Sequence, residues 1–246
     1  MRKLAPFSSS ASADPDFRWR GGEVTRLEAL SDGVFAITIS LLVITLEVPA
    51  NFSALSELIA QLPVFLASFL ILMAAWRAHF LFFRRFGLDD GATQALNAIF
   101  LFLILFFAFP LKFMAMFLWA VITGTDTTAM FAAPEGALAT DDPMAQRAKM
   151  LIYLGLGVMG LFGSLAALSA RAWAAREELQ LNPVERAMTL SSLVRLLIPV
   201  AVALIGLLVV WSGAQPGVAG ICYFMLVPLL VAHAFWARAR ISAARS

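Results

Sequence analysis

The sequence predicts an all-α, polytopic membrane protein with six transmembrane helices. Two observations carry this. Hydrophobic residues make up 61% of the 246 residues and charged residues only 14%, more apolar surface than a water-soluble fold of this length can bury. The apolar residues also fall into six runs, each long enough to cross a bilayer, separated by short polar stretches. The runs are Leu30–Val48, Leu58–Phe83, Thr93–Trp119, Met150–Ala170, Leu190–Trp211 and Val218–Trp236. Pro63, Pro110, Pro199 and Pro228 fall within or near them, which lipid-embedded helices tolerate when neighbours take up the freed carbonyls. This divides the chain into a polar cytoplasmic tail over 1–25, a six-span domain over 26–237 and a short basic cytoplasmic tail over 238–246.

The first run carries the most information. Gly33 to Leu46 is uncharged, yet Arg26, Glu28, Ser31 and Asp32 stand directly before it. A helix entering lipid gains nothing from a carboxylate at its threshold unless other parts of the protein hold it. At about 100° per residue, Leu30, Ile37 and Ile44 form one line, flanked by Ser40 and Leu41. Ser31, Thr38 and Thr45 form a second line of small hydroxyls able to bond neighbouring helices. An aliphatic stripe alone is the ordinary pattern of a lipid-facing or core helix; Ser31 and Asp32 orient this helix toward a protein interior.

The second run ends in Trp76-Arg77-Ala78-His79, with Trp76 and His79 on one face. An intramembrane histidine without a carboxylate neighbour is more often a packing residue than a proton relay. The third run opens with Asn97 in otherwise apolar sequence. Asp32, His79 and Asn97 all fall toward one end of their spans, so they can meet at one depth, and a buried carboxylate needs such donors. Arg26, Ser31 and Asp32 are therefore expected to bond Trp76, His79 and Asn97.

Between the third and fourth runs, 122–147 is polar, rich in small residues and interrupted by proline, an outer loop without identifiable chemistry. The fourth run contains Gly155-Leu156-Gly157-Val158-Met159-Gly160, which has the spacing of a dinucleotide fingerprint but no preceding strand. Its better reading is close helix packing along Gly160, Ser164 and Ala167. Residues 171–186 form a charged connector, a solvated extension of the flanking helices, and His233 in the sixth run is structural.

Orientation follows from lysine and arginine. With the N-terminus inside, fifteen fall on the cytoplasmic side: Arg2, Lys3, Arg18, Arg20, Arg26, Arg77, Arg84, Arg85, Arg171, Arg176, Arg186, Arg195, Arg238, Arg240 and Arg245. Only Lys112, Arg147 and Lys149 fall outside, among Glu47, Glu57, Asp126, Glu135, Asp141 and Asp142. That bias places both termini in the cytoplasm, in a multi-pass protein of the cell membrane. The basic residues are spread over short inter-helix segments, so they do not point to nucleic acid. The one cysteine, Cys222, excludes a disulfide framework and a cysteine metal site. The N-terminal stretch lacks the apolar core of a signal peptide.

The stretch Arg26-x-x-x-Leu30-Ser31-Asp32-Gly33, its apolar run and Glu47-Val48-Pro49 together resemble the Arg-x-x-x-Phe-Ser-Asp signature of the transmembrane protein 175 family of potassium channels. Leu30 departs from the family's Phe and removes an aromatic contact while both polar residues remain. The Trp76-x-x-His79 arrangement and Asn97 are similar to the family as well; the resemblance covers 26–110 and rests on topology thereafter. Having one copy of the motif, the chain is similar to the bacterial branch. That implies a homotetramer whose four first helices surround a central pore conducting potassium ions passively across the lipid bilayer. Carried onto this sequence, Ile37 forms a narrow aliphatic ring, Ser40 a hydroxyl ring where the family often has Thr, and Ile44 a second aliphatic ring. Leu41 shares the lining through helix tilt. The resemblance implies no cofactor, and no TVGYG-like carbonyl filter is present.

Two other function classes fit less well. A secondary transporter or proton-coupled carrier needs ionisable groups near the midplane, and the first run has none between Gly33 and Leu46; paired broken helices are not evident either. A membrane enzyme lacks paired carboxylates, a metal cluster or a nucleophile–base set at a shared depth.

Overall fold

The structure is a computed structural model, and it describes residues 16–44, 48–131, 142–213 and 216–245. Thr45, Glu47, Glu135, Asp141, Arg2 and Lys3, used in the sequence reading, lie outside the described residues. The described residues form α-helices: α1 Arg26–Ile44, α2 Phe52–Ala60, α3 Leu62–Phe86, α4 Gly91–Phe106, α5 Ala108–Thr123, α6 Pro143–Ala174, α7 Pro183–Trp211, α8 Pro216–Phe224 and α9 Leu226–Ala243, with a single 3₁₀ turn at Thr128–Phe131. By length and composition these make six spans: α1, α3, the α4/α5 pair, α6, α7, and α8 with α9.

Three predicted spans are not single helices, and proline explains each break. A proline at position i has no N–H for the carbonyl of residue i−4. The chain breaks at Gln61, Phe107 and Met225, shortly before Pro63, Pro110 and Pro228. The α4/α5 pair bends by 52°, and the expectation of unbroken helices is corrected there. Pro199 lies inside an uninterrupted α7. Predicted boundaries shift too: α6 starts at Pro143 and α7 at Pro183, while α9 takes up most of the expected tail over 238–246 by running to Ala243.

The main core joins Phe35 and Leu42 of α1 to Leu72, Phe82 and Phe83 of α3, Phe100 and Ile104 of α4, and Leu165 and Leu168 of α6. α7 packs along α6, and α9 packs on α7 and α8, so α9 lies on a different flank from α1, which contacts α3, α4 and α5. A smaller cluster of Phe131, Met150, Leu151 and Ala219 closes the opposite end. There the 3₁₀ turn after α5 folds back, with the Arg147 guanidinium 5.3 Å from the Phe131 ring.

Residues 16–25 correct the expectation of a polar tail. Phe17 is buried and meets Phe86 edge-on at 5.5 Å. The backbone N–H groups of Arg20 and Gly21 donate to the Arg84 carbonyl at 3.1 and 3.0 Å. This strap lies flush on the end of α3. Gly87 caps that helix at φ 59°, and a Cβ there would stand 2.8 Å from the Arg20 carbonyl oxygen, so both conformation and space require glycine.

Candidate functional site

The entry of α1 is fixed by a capping box. Thr25 Oγ1 accepts from the Glu28 N–H at 3.2 Å, and Glu28 Oε2 accepts from the Thr25 N–H at 2.9 Å. Glu28 is buried and lies 3.4 Å from Arg84, so the buried carboxylate at this threshold is Glu28 and not Asp32. Thr25-x-x-Glu28 is itself a capping pattern that the sequence displays.

The polar residues around α1 form two separate groups rather than one. In the buried group, the amide of Asn97 donates to Ser31 Oγ at 3.1 Å, and its carbonyl oxygen lies 2.7 Å from His79 Nε2. Ser31 Oγ–H donates onward to the Leu27 carbonyl at 2.8 Å. The amide orientation makes His79 Nε2 a donor, so donors and acceptors alternate along the chain of bonds. His79 is packed among Phe35, Phe83 and Phe100, with the Phe100 ring stacked on it at 5.4 Å. Its ring neighbour in the bond chain is an amide, which does not exchange protons, so the arrangement holds helices and does not relay charge.

The second group is exposed: Trp76 Nε1 donates to Asp32 Oδ1 at 2.9 Å. Asp32 lies outside the core, which corrects the expectation of a buried carboxylate held by the other polar residues. Arg26 is exposed and has no hydrogen-bond or ion-pair partner among the described residues.

Above this layer α1 has two unlike faces. Ser31, Phe35, Thr38 and Leu42 are buried against neighbouring helices, with Thr38 Oγ1 bonded to the Val34 carbonyl at 2.8 Å. Leu30, Ile37 and Ile44 are 60%, 55% and 74% exposed. Ser40 is exposed beside them and Leu41 is half-buried. Ser40 Oγ–H donates to the Ala36 carbonyl at 2.9 Å, which leaves the oxygen lone pairs pointing away from the helix.

Sequence reading missed a second polar centre, at Glu185. This fully buried carboxylate is paired with Arg20 at 2.7 Å and accepts from the Arg18 N–H at 2.9 Å. It also completes a capping box with Asn182, the N-cap of α7. The Asn182-x-x-Glu185 spacing is the signal that could have found it. Separately, Asp90 caps α4 through the Ala92 and Thr93 N–H groups and pairs with Arg171 at 2.8 Å. That guanidinium and the cap bonds hold the Asp90 carboxyl below the usual aspartate value. His233, read from sequence as structural, lies 3.4 Å from Ser191 Oγ. Among the described residues, no group of three or more His, Cys, Asp or Glu could hold a metal ion.

Six apolar spans, a helix with one packed and one open face, and a buried polar cluster at the start of that helix define a polytopic helical membrane protein. Residues 26–108 match the family described as "Endosomal/lysosomal potassium channel TMEM175". A potassium channel of Marivirga tractuosa is 32% identical over 238 residues, covering 94% of both chains. A potassium channel of Chamaesiphon minutus is 36% identical over 104 residues, covering 39% of this chain and 51% of that one. The crystal structure of a variant of the potassium channel MtTMEM175, in complex with a nanobody–MBP fusion protein, superposes with a TM-score of 0.74 at 28% identity. That match covers 92% of this chain and 98% of the other. The structure of a TMEM175 homologue from Chamaesiphon minutus shares the fold, with a TM-score of 0.52 at 21% identity over 86% of this chain and 96% of the other. This chain belongs to the bacterial branch of the TMEM175 family of potassium channels, which are not enzymes.

Proposed function

We propose that four copies of this chain surround a pore lined by α1 and conduct potassium ions selectively and passively, with both termini in the cytoplasm of the cell. Residues 26–237 are the conducting domain. Ile37 and Ile44 form aliphatic constriction rings, Ser40 a hydroxyl ring between them, and Leu41 joins the lining. The observation that carries this reading is the open face of α1. Its aliphatic residues are interleaved with Gly33, Ala36 and Ser40, whereas Ser31, Phe35, Thr38 and Leu42 are committed to the subunit's own core.

A narrow apolar ring gates by dewetting and, when wider, passes the cation that sheds water more readily. Potassium holds its hydration less tightly than sodium, so such a ring favours it. Ser40 oxygens, their hydrogens turned back to the helix, offer lone pairs in place of lost water. The buried Ser31–Asn97–His79 bonds and the separate, exposed Asp32–Trp76 bond fix the rotation of α1 and so decide which residues reach the axis.

The test is flux from liposomes. The parent protein passes potassium without a counter-substrate and passes less sodium. Ile37→Asn or Ile44→Asn raises conductance or relaxes selectivity, while Leu58→Asn on α2 leaves both unchanged. Parent-like conduction in both α1 variants would falsify the lining. Flux that saturates at carrier rates and requires a counter-substrate would favour a transporter.

A further inference from the structure

A cavity of about 710 Å³ opens at the basic end of the molecule, between the end of α6, the start of α7 and the end of α9. Trp173, Leu181, Pro183 and Leu190 give it an apolar wall, and Arg186 and Arg240 supply its charge. Among the described residues, no carboxylate lines it. Arg186 is held in place by bonds to the Leu181 carbonyl and to Glu177, both at 2.9 Å. Arg176 also pairs with Glu177, so two guanidinium groups share one carboxylate. The Arg240 guanidinium lies 5.3 Å over the Trp236 ring and has no carboxylate partner among the described residues.

We propose that this cavity binds the headgroup of an anionic phospholipid, with Arg240 and Arg186 holding the phosphate and the acyl chains running along α9. Guanidinium groups bind phosphate by paired, charge-assisted hydrogen bonds. Basic pockets between transmembrane helices at the headgroup level suit such lipids. Both arginines lie within a few residues of helix ends, and Trp173 and Trp236 are the aromatic type that favours the membrane–water boundary. On the face of α9 that carries Arg240 and Ala243, the exposed Trp236 and Leu229 extend an apolar surface of the kind that borders lipid tails. A soluble phosphate would use the same guanidinium groups but neither the apolar wall nor this surface. Because α9 lies on a different flank from α1, the site does not depend on the conduction reading.

The test counts lipids retained on the purified protein by native mass spectrometry while dioleoylphosphatidylglycerol, dioleoylphosphatidylcholine or inorganic phosphate is added. Phosphatidylglycerol is expected to saturate a site, and Arg240→Gln to weaken it by about fivefold or more, the worth of one interfacial arginine. Arg238→Gln, on the same helix outside the cavity, leaves binding unchanged. Ala243→Trp keeps both charges but fills the space, and is also expected to weaken binding. Equal retention of phosphatidylcholine, displacement of the lipid by inorganic phosphate, an equal loss in Arg238→Gln, or parent-like binding in both Arg240→Gln and Ala243→Trp would overturn the proposal.

Discussion

Asn97 serves helices on two sides at once because an amide carries a donor and an acceptor at a fixed spacing. With no exposure of its own, it gives its N–H to Ser31 and its oxygen to His79. Asn97→Leu leaves both neighbours short of a partner in the core, and each such loss costs about 1–3 kcal/mol. Asp32→Ala removes one exposed bond, worth about 1 kcal/mol or less. The melting temperature of the purified protein in detergent is therefore expected to fall much further in Asn97→Leu than in Asp32→Ala, and equal falls would show that the two groups act as one. The sequence named all these residues but joined them in one knot. Depth along a helix is legible from spacing, whereas the sides on which Ser31 and Asp32 diverge matter only once the neighbouring helices are placed. Arg26 had a charge and a motif position in its favour and no partner among the described residues. Asp90 adds a pH dependence of definite sign: its depressed carboxyl contributes stability above the ordinary aspartate value, lost as pH falls through its lower folded value.

At the scale of elements, the strap over 16–25 ties three places together: the end of α3 through Arg84, the start of α7 through Glu185, and Arg245 beyond α9 through Asp16. Its composition reads as solvated because Asp16, Arg18, Arg20 and Glu23 are charged, and the burial of Arg20 depends on a carboxylate far away in sequence. Glu185→Ala would leave the Arg20 guanidinium, 8% exposed, without its counter-charge, and breaking a buried pair in this way costs about 3–5 kcal/mol. Glu185→Gln keeps an acceptor for the cap and for Arg20, so thermal unfolding should rank parent, Gln and Ala in descending order. If the Ala variant melted with the parent, the strap would be a passive covering. The bend between α4 and α5 depends on another close fit. A Cβ on Gly157 would stand 2.2 Å from the Phe107 ring, whereas one on Gly163 meets nothing within 4 Å. Gly157→Ala is expected to destabilise by about 1–3 kcal/mol, and Gly163→Ala to stabilise slightly, by up to about 1 kcal/mol; melting shifts of the same sign would refute the contrast. The glycines of α6 suggested close packing from sequence, but which one meets a bend could not be read before the bend was known.

For the whole molecule, span number and the all-helical class follow from composition and run length alone. The helix breaks follow less directly: Pro63, Pro110 and Pro228 interrupt their spans while Pro199 does not, since neighbouring packing decides whether a freed carbonyl turns the chain. Least legible is which apolar face turns where, because lipid tails and protein core accept the same side chains. Leu42 and Ile44, two residues apart on α1, are 1% and 74% exposed, yet their hydropathy is nearly equal. A closed ring of identical chains gives the open face a definite place, since each α1 would then meet its copies around one axis. In a Cys222→Ala background, Ile37→Cys should cross-link through a short bis-maleimide into dimers, trimers and tetramers, because neighbouring copies bring that position close together. Val231→Cys, equally exposed but on α9, should remain monomeric under the same treatment. A ladder from Val231→Cys and none from Ile37→Cys would turn the subunit around, giving α9 to the axis and α1 to lipid.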